Sequence, residues 1–252
     1  MAKKPKAPFP LLARRILRKA LPRKIYRTYV GRHEDKSMAL WETLSQKVES
    51  GKAVLDIGAF HGIFSLITRK VNATVEIYAF EPSPQNLRTL KENIRGKSIH
   101  LECLAMAETS GQVSFHLQQA MSHIAIQSEG ETDIPQNDQV VSVKAVTLDD
   151  WVTENGVSPG LIKLDTEGME ALILKSGQQT LAQHKPIIHC EVLSDDAGIE
   201  VMNQLPTDYL FFHIDENKGI SLRKVINRKK WRNHNWLLAP ESKKAFVDRF
   251  CG

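Results

Sequence analysis

A short apolar strand that ends in a glycine-spaced turn is the feature of this sequence that most limits its fold. Residues 54–62 read Val-Leu-Asp-Ile-Gly-Ala-Phe-His-Gly, and a second apolar run ends at Glu81 and Pro82. An apolar run bounded by glycine is typical of a buried parallel strand, and glycine lets the backbone approach a ligand. A following strand that delivers a carboxylate beside such a turn is typical of a ribose-binding pocket.

The rest of the chain predicts an α/β fold of the Rossmann-like, doubly wound type, because apolar runs alternate with amphipathic stretches. Helices are expected at 37–50, capped by Ser37, at 84–95, capped by Ser83, and from Gly168 through Leu181. The expected sheet is mostly parallel and seven-stranded, with strands at 53–57, 75–80, 99–104, 160–164, 186–192, 209–214 and 235–238.

Two domain features interrupt this pattern. Residues 106–150 are expected to form a strand-rich insertion, because 111–117 and 140–147 alternate like β ribbon around an exposed loop at 120–139. Residues 1–36 are expected to be a basic extension with a helical segment, and residues 37–252 the main domain.

The basic extension carries much of the positive charge. Eleven of the 34 Lys and Arg lie in residues 1–33, which contain no acid, and the remaining 23 face 29 acids, a net charge of −6. Residues 11–21 predict an amphipathic basic helix, which fits either a peripheral contact with an anionic membrane or a cap packed on the domain, with a targeting leader as a third reading. A second basic cluster at 223–232 fits a solvated hairpin better than a nucleic-acid surface.

Composition also indicates the compartment. The three cysteines, Cys103, Cys190 and Cys251, are widely spaced and form no C-x-x-C pair, which argues against disulfides and zinc. No stretch approaches the roughly 18 apolar residues of a membrane span. A cytoplasmic protein is therefore expected, either free or peripheral to the membrane.

The spacing of the first turn decides among adenosine ligands. The dinucleotide fingerprint is G-x-G-x-x-G, whereas this chain has only Gly58 and Gly62, with Asp56 preceding them. NAD therefore fits poorly. A ligand with an amino group and no pyrophosphate gains from the carboxylate, because charge-assisted hydrogen bonds are the strong ones. S-adenosylmethionine meets that description.

Four motifs in order carry a family resemblance. They are Leu55-Asp56-Ile57-Gly58-Ala59-Phe60-His61-Gly62, Phe80-Glu81-Pro82-Ser83-Pro84-Gln85-Asn86, Leu161-Ile162-Lys163-Leu164-Asp165-Thr166-Glu167-Gly168-Met169-Glu170, and Lys185-Pro186 leading to Glu191. Over roughly residues 50–240 the chain resembles the FkbM family of S-adenosylmethionine-dependent methyltransferases. The resemblance implies a class I methyltransferase fold.

The resemblance also implies cofactor-binding residues. Asp56, Gly58 and Gly62 would surround the methionine part, and Glu81 would accept from the two ribose hydroxyls, which one carboxylate can do at once. Ser83 and Asn86 fit positions near the adenine, or serve as a helix cap and a first-turn residue. The adjoining Ala59 and Pro82 complete the predicted cofactor site.

The acceptor side is predicted from strand ends. Asp165 and Glu191 follow the fourth and fifth predicted strands, so they should face the crevice beside Gly58. Both are predicted catalytic residues, and His123, in the loop at 120–139, is a third because loops carry specificity. Taken singly, however, His61, His123 and His189 each fit a structural or solvent-exposed role better than a catalytic one.

Three neighbours of Asp165 leave alternatives open. Glu167 could act with Asp165 and Glu191 as a base or a magnesium ligand, but acids scattered over 27 positions are not a metal motif. A metal-free base is therefore preferred, with no metal site predicted and Mg²⁺ as the alternative. Glu170 fits helix-start electrostatics. Lys163 could pair with Asp165 or contact substrate.

The predicted function is methylation of a hydroxyl oxygen on a sugar, glycan or secondary metabolite, and this acceptor class is what the family resemblance implies. The expected partner is a small-molecule or glycan acceptor, and nucleic acid is disfavoured. Two alternatives stay open: a cofactor-binding scaffold without turnover at a membrane or RNA, and an NAD-dependent oxidoreductase.

Overall fold

The structure is a computed structural model that describes residues 35–117, 123–124, 139–215, 219–227 and 234–251. The basic helix predicted at 11–21, most of the loop predicted at 120–139 and the cations at 228–232 lie outside these residues. Those assignments, and the division at residue 36, stay predictions. None of the described helices has the length and apolar character that crossing a membrane requires.

The central element is an eight-stranded sheet with the order β11-β10-β12-β9-β8-β1-β2-β3. Neighbouring strands from β3 to β9 run parallel, whereas β12 is antiparallel to both of its neighbours, β9 and β10. All seven predicted strands are present, and β11 is an addition that extends the edge beyond β10. The strands are β1 (Ala53–Ile57), β2 (Glu76–Phe80), β3 (His100–Glu102), β8 (Pro159–Leu164), β9 (Ile187–Glu191), β10 (Tyr209–Asp215), β11 (Gly219–Arg223) and β12 (Asn235–Pro240).

A second, four-stranded sheet with the order β4-β7-β5-β6 lies between β3 and β8 in the chain. Its longest pair, β5 and β7, is antiparallel and occupies the two segments whose alternation predicts β ribbon. The strands are β4 (Ala105–Met106), β5 (Gly111–Leu117), β6 (His123–Ile124) and β7 (Gln139–Val146).

Helices cover both faces of the central sheet, because alternate residues of its strands point to opposite sides. On β1, Leu55 and Ile57 pack into the core formed with α4 to α7, while Val54 packs into the core formed with α1, α2 and α8. Residues of α3 pack with α2 and β2. The helices are α1 (Asp35–Gln46), α2 (Ile63–Val71), α3 (Pro84–Ile94), α4 (Leu148–Asn155), α5 (Glu170–Lys175), α6 (Gln178–His184), α7 (Asp195–Gln204) and α8 (Lys244–Val247).

Two helix predictions differ from the structure. Helix α1 begins before Ser37, so Ser37 is not its cap; its buried hydroxyl instead pairs with the His189 ring, Oγ to Nε2 at 2.6 Å. The helix expected from Gly168 through Leu181 is broken at Gly177, where a Cβ would lie 2.6 Å from a methyl carbon of Leu148. Both differences arise from tertiary packing, which local sequence patterns do not reveal.

Candidate active site

Four neighbouring strands deliver the predicted site residues to one edge of the sheet. Because β9, β8, β1 and β2 are adjacent and parallel, their carboxyl ends lie side by side. The turn after β1, Glu81 after β2, Asp165 after β8 and Glu191 at the end of β9 therefore share one crevice, where ligands of open α/β sheets bind. The structure brings together every predicted site residue except His123.

The turn after β1 is shaped by contacts that only glycine tolerates. Gly58 has φ +76°, and a Cβ there would lie 1.9 Å from the Asp165 carbonyl oxygen. Gly62 has φ +80°, and its Cβ would lie 2.6 Å from a methyl carbon of Leu90. Phe60 between them is also left-handed, with φ 51°, a conformation that costs a non-glycine residue free energy. The turn is thus pressed against the loop after β8 and held in a strained shape.

Glu81 closes this turn with its carboxylate. Its Oε2 accepts from the Phe60 N–H at 2.8 Å, and its Oε1 accepts from the Ser83 N–H at 2.9 Å and the Asn86 amide at 3.2 Å. Burial raises the pKa of Glu81, and these three hydrogen bonds oppose that rise. The neighbouring Ala59 is held by its N–H to the Phe80 carbonyl at 2.8 Å.

Asp56 supports the same turn from within β1. The side chain is fully buried, and its Oδ2 accepts from the N–H and the hydroxyl of Ser65 at 3.0 and 2.6 Å, which anchors the first turn of α2. Burial raises its pKa, against the opposing effects of Lys163 and Ser65. Ser65 carries no motif signal, and only its position beyond Gly62 hints at this role.

Besides His61 Nδ1, two buried polar atoms near the turn have no hydrogen-bond partner among the residues that the structure describes. They are Asp56 Oδ1 and the Ser83 hydroxyl. Ser83 precedes α3 as predicted, but its side chain makes no cap hydrogen bond, and Pro82 beside it is partly buried. Buried polar atoms are normally satisfied, so these two fit a ligand that brings polar groups of its own.

Lys163 lies at the junction of the turn and the acid loop, residues 165–169 between β8 and α5. Its ammonium donates to the Gly58 carbonyl at 2.8 Å and forms an ion pair with Asp165 Oδ2 at 3.0 Å. The Phe64 ring lies 5.1 Å from Nζ. The sequence left open whether Lys163 pairs with Asp165 or contacts the substrate, and the structure shows the pairing with Asp165.

Three carboxylates converge beside Lys163. One oxygen from each of Asp165, Glu167 and Glu191 lies within 4.8 Å of the other two, close enough to hold a divalent cation. The sequence predicted Asp165 and Glu191 at one rim but favoured a metal-free base, because acids scattered over 27 positions are not a metal motif. The pairing of β8 with β9 brings these acids together.

The cluster holds its acids in different charge states. Burial and the neighbouring carboxylates of Asp165 and Glu167 raise the pKa of Glu191 to about 9, so Glu191 is protonated at neutral pH. For Asp165, burial favours the neutral form, but the Lys163 ammonium and a hydrogen bond with Glu191 outweigh it and lower the pKa. The pKa values of two carboxyl groups in contact move apart in this way, because ionising both would place two negative charges side by side.

Glu170 organises the loop that carries Asp165. It opens α5, and its buried carboxylate accepts from the Thr166 N–H at 2.7 Å, the Thr166 hydroxyl at 2.9 Å and the Gly168 N–H at 3.1 Å. Glu167, in the middle of the loop, is left-handed with φ 57°. The structural reading of Glu170 fits these contacts.

Of the three histidines considered from the sequence, the structure describes the side chains of His189 and His61 but not that of His123. His189 is buried, and burial, reinforced by the charge of Lys163, lowers its pKa to about 4, so it is neutral. Burial also lowers the pKa of His61, whose ring stacks on Phe60 with 3.6 Å between centroids. His123 lies in β6 of the second sheet, and its side chain lies outside what the structure describes.

The strand order, with one antiparallel strand inserted beside the last parallel one, and the acid-flanked glycine turn define a class I methyltransferase. A family model of the methyltransferase FkbM domain matches residues 56–216. The chain belongs to this family, and its cofactor is S-adenosylmethionine.

Solved structures with a similar fold include two methyltransferases and a fibrillarin. Methyltransferase FkbM from Methylobacillus flagellatus KT is 16% identical with a TM-score of 0.49, and the match covers 90% of this chain and 58% of that one. An S-adenosylmethionine-dependent O-methyltransferase from Thermotoga maritima is 10% identical with a TM-score of 0.47, covering 82% and 64%. Aeropyrum pernix fibrillarin with natively bound S-adenosylmethionine is 10% identical with a TM-score of 0.44, covering 80% and 73%. A search of curated proteins found no match.

The contact between the turn and the acid loop predicts the cost of a methyl group at Gly58. Gly58→Ala places Cβ against the Asp165 carbonyl, whereas Gly51→Ala, at nearly the same φ of +77°, meets nothing within 4 Å. We expect Gly51→Ala to cost about 1 to 2 kcal/mol of unfolding free energy from backbone strain alone. Gly58→Ala should cost about 1 to 3 kcal/mol more through overpacking, as measured by denaturant unfolding. Equal costs would contradict the close approach.

The protonated state of Glu191 predicts a pH dependence of stability. A raised pKa in the fold favours folding fully below the ordinary value of 4.5, and this contribution is lost as pH rises to about 9. Glu191→Gln should therefore lose less stability than the wild type between pH 5.5 and 8.5. We expect a difference of at least about 1 kcal/mol, or roughly 2 to 4 °C in Tm.

Thermal unfolding at the two pH values, with chelator present, measures this difference. Glu200→Gln, an exposed change on α7, is the control and should follow the wild type. Parallel curves for the wild type and Glu191→Gln would show that Glu191 is ionised in the fold.

Proposed function

We propose that the chain transfers a methyl group from S-adenosylmethionine to a hydroxyl oxygen of a sugar, glycan or secondary metabolite. The observation that carries this proposal is the cluster of the Asp165 and Glu191 carboxyl groups at the crevice edge beside the glycine turn, with Asp165 ion-paired to Lys163. The acceptor class rests on the family resemblance. A peripheral contact of residues 11–21 with an anionic membrane belongs to the same proposal, because the segment carries four cations and no acid.

The cofactor half of the proposal places Glu81 at the ribose. Oε2 has one donor and room for a second, while Oε1 already has two. The Asn86 bond is the longest of the three at 3.2 Å, so a ribose hydroxyl would take the place of the Asn86 amide. Ser83 would offer its unpartnered hydroxyl beyond it, toward the adenine.

The backbone of the turn, at Gly58, Ala59 and Gly62, would line the methionine part of the cofactor. Asp56 Oδ1, buried and unpartnered among the described residues, fits the methionine ammonium, because a buried carboxylate is stabilised by a charged donor. Bound S-adenosylmethionine supplies an electrophilic methyl group carried on a sulfonium.

The acceptor half of the proposal assigns the proton. Asp165 is the base: its ionised carboxylate would accept the hydroxyl proton as the acceptor oxygen attacks. Glu191, protonated and hydrogen-bonded to Asp165, would orient that carboxylate and prevent a second negative charge beside it. His123 is proposed on the acceptor side, because the connecting segments of such a scaffold commonly carry specificity.

A metal-free mechanism suits the charges better than a bound cation. Asp165 already has the Lys163 ammonium as its counter-ion, at 3.0 Å from its Oδ2. The alternative is a magnesium ion held by Asp165, Glu167 and Glu191, whose spacing supports it. The two mechanisms differ in their response to chelation.

The function is tested by incubating the purified chain with S-adenosylmethionine and a panel of hydroxyl acceptors, with S-adenosylhomocysteine as the readout. Asp165→Asn should lower kcat about 100-fold or more, because general-base catalysis contributes roughly that much, and should change cofactor affinity less than 3-fold. Chelator should leave wild-type turnover unchanged. An active Asn variant would remove Asp165 from its role, and loss of turnover on chelation would favour the magnesium mechanism.

The cofactor site is tested separately with Glu81→Gln, which keeps the shape of the side chain. We expect S-adenosylhomocysteine to bind about 5- to 150-fold more weakly, the equivalent of about 1 to 3 kcal/mol, because a charged acceptor is lost. Calorimetric titration measures the affinity. Glu76→Gln, on the same strand but exposed, is the matched control and should bind as the wild type does. Unchanged affinity in Glu81→Gln would remove Glu81 from the site.

A further inference from the structure

Lys163 is a buried charge for which the proposed reaction has so far no use. The residue is 4% exposed, yet its pKa is raised, because the carboxylates of Asp165 and Asp56 together outweigh the effect of burial. Asp56 is the direct partner of Lys163 in the register of β1 with β8. A buried ammonium is costly unless it is paired, so its position at the site calls for a role.

The contacts of the ammonium argue against direct contact with a substrate. An ammonium has three donors. One goes to the Gly58 carbonyl and one to Asp165, and the Phe64 ring lies close to the same nitrogen. Lys163 is thus surrounded by protein groups on several sides and buried from solvent.

The two groups that Lys163 joins belong to different halves of the site. The Gly58 carbonyl is part of the turn proposed to hold the cofactor, and Asp165 is the proposed base on the acceptor side. The backbone reinforces the junction, because the Asp165 N–H donates to the Ile57 carbonyl at 3.3 Å and the Asp165 carbonyl occupies the space where Gly58 lacks a side chain. Methyl transfer requires the two reacting groups in line, so the distance between these halves matters for rate.

We propose that Lys163 is a positioning residue that fixes the cofactor turn and the Asp165 carboxylate relative to each other. This role rests on the proposed function. Removing the ammonium releases the Gly58 carbonyl on one side and the carboxylate on the other, so one substitution impairs both cofactor binding and turnover. Removing the Asp165 carboxylate alone impairs turnover only.

A double-mutant cycle separates this role from general stabilisation. The variants are Lys163→Met, Asp165→Asn and the two combined, with Lys175→Met as the control, since Lys175 is also ion-paired, to Glu108, but lies away from the crevice. The readouts are the Kd of S-adenosylhomocysteine by calorimetry, and the kcat and acceptor KM where an acceptor has been found.

Lys163→Met should weaken S-adenosylhomocysteine binding about 10-fold and lower kcat about 100-fold, with less than a 3-fold change in acceptor KM. The combined variant should turn over no more slowly than Asp165→Asn, because without the carboxylate Lys163 has nothing to position on the acceptor side. It should still bind S-adenosylhomocysteine about 10-fold more weakly than Asp165→Asn. Lys175→Met should match the wild type.

Independent, multiplicative losses of kcat in the two single variants, or unchanged Kd in Lys163→Met, would overturn the proposal. If Lys163→Met does not fold, the combined variant, which leaves no unpaired charge between these two positions, carries the same comparison of Kd with Asp165→Asn. Measuring the Kd of S-adenosylhomocysteine needs no acceptor, so failure of the proposed function can be distinguished from failure of the role of Lys163. Absence of S-adenosylhomocysteine binding in the wild type contradicts the proposed function, whereas binding that Lys163→Met leaves intact contradicts only the role of Lys163.

Discussion

The close approach of two loops, joined by the buried ammonium of Lys163, is the constraint on which the rest of this site depends. A buried cation is stable only with anions and acceptors around it, and Lys163 has Asp165, the Gly58 carbonyl and its neighbour Asp56. Position 58 has to be glycine for the loops to meet, because any side chain would overlap the Asp165 carbonyl. Adjacency of β1 and β8 in the sheet brings the partners together.

Packing on both faces of the sheet holds this junction in place. On one face, the Trp41 ring of α1 meets Phe64 edge to face at 5.3 Å between centroids, and Phe64 lies beside the Lys163 ammonium. Trp41 also meets His189, whose ring is fixed by Ser37. Helix α1 therefore supports, through aromatic contacts, the strand that ends in Glu191. The chemistry at the crevice and the apolar core are parts of one arrangement.

The sequence predicted what depends on local pattern. The alternation of apolar runs with amphipathic stretches predicted the seven strands, and the order of four motifs indicated the family. Side-chain contacts were harder to predict, because they depend on which strands become neighbours in the sheet. The spacing of Lys163 and Asp165 already allowed their pairing, but the second partner of Lys163, the Gly58 carbonyl, depends on the pairing of β1 with β8. Ser37 was mistaken for a helix cap because its partner, His189, is 152 positions away.

The acid cluster shows the same limit. Asp165 and Glu191 were predicted at one rim from the rule for parallel strands, but their contact, and the proton that Glu191 retains, depend on side-chain distances. Ser65, which holds Asp56, lies in an ordinary helical stretch without any motif. Such partners follow from the folded arrangement and not from residue spacing.

A crystal structure with S-adenosylhomocysteine would show whether the turn and the acid loop form one preassembled unit that faces the cofactor. We expect ribose hydroxyls within about 2.6 to 3.2 Å of the Glu81 carboxylate, with Lys163 still bonded to both the Gly58 carbonyl and Asp165. The cofactor sulfur should lie between the turn and Asp165. A ribose bound away from Glu81, or a Lys163 ammonium released from either partner, would contradict this arrangement.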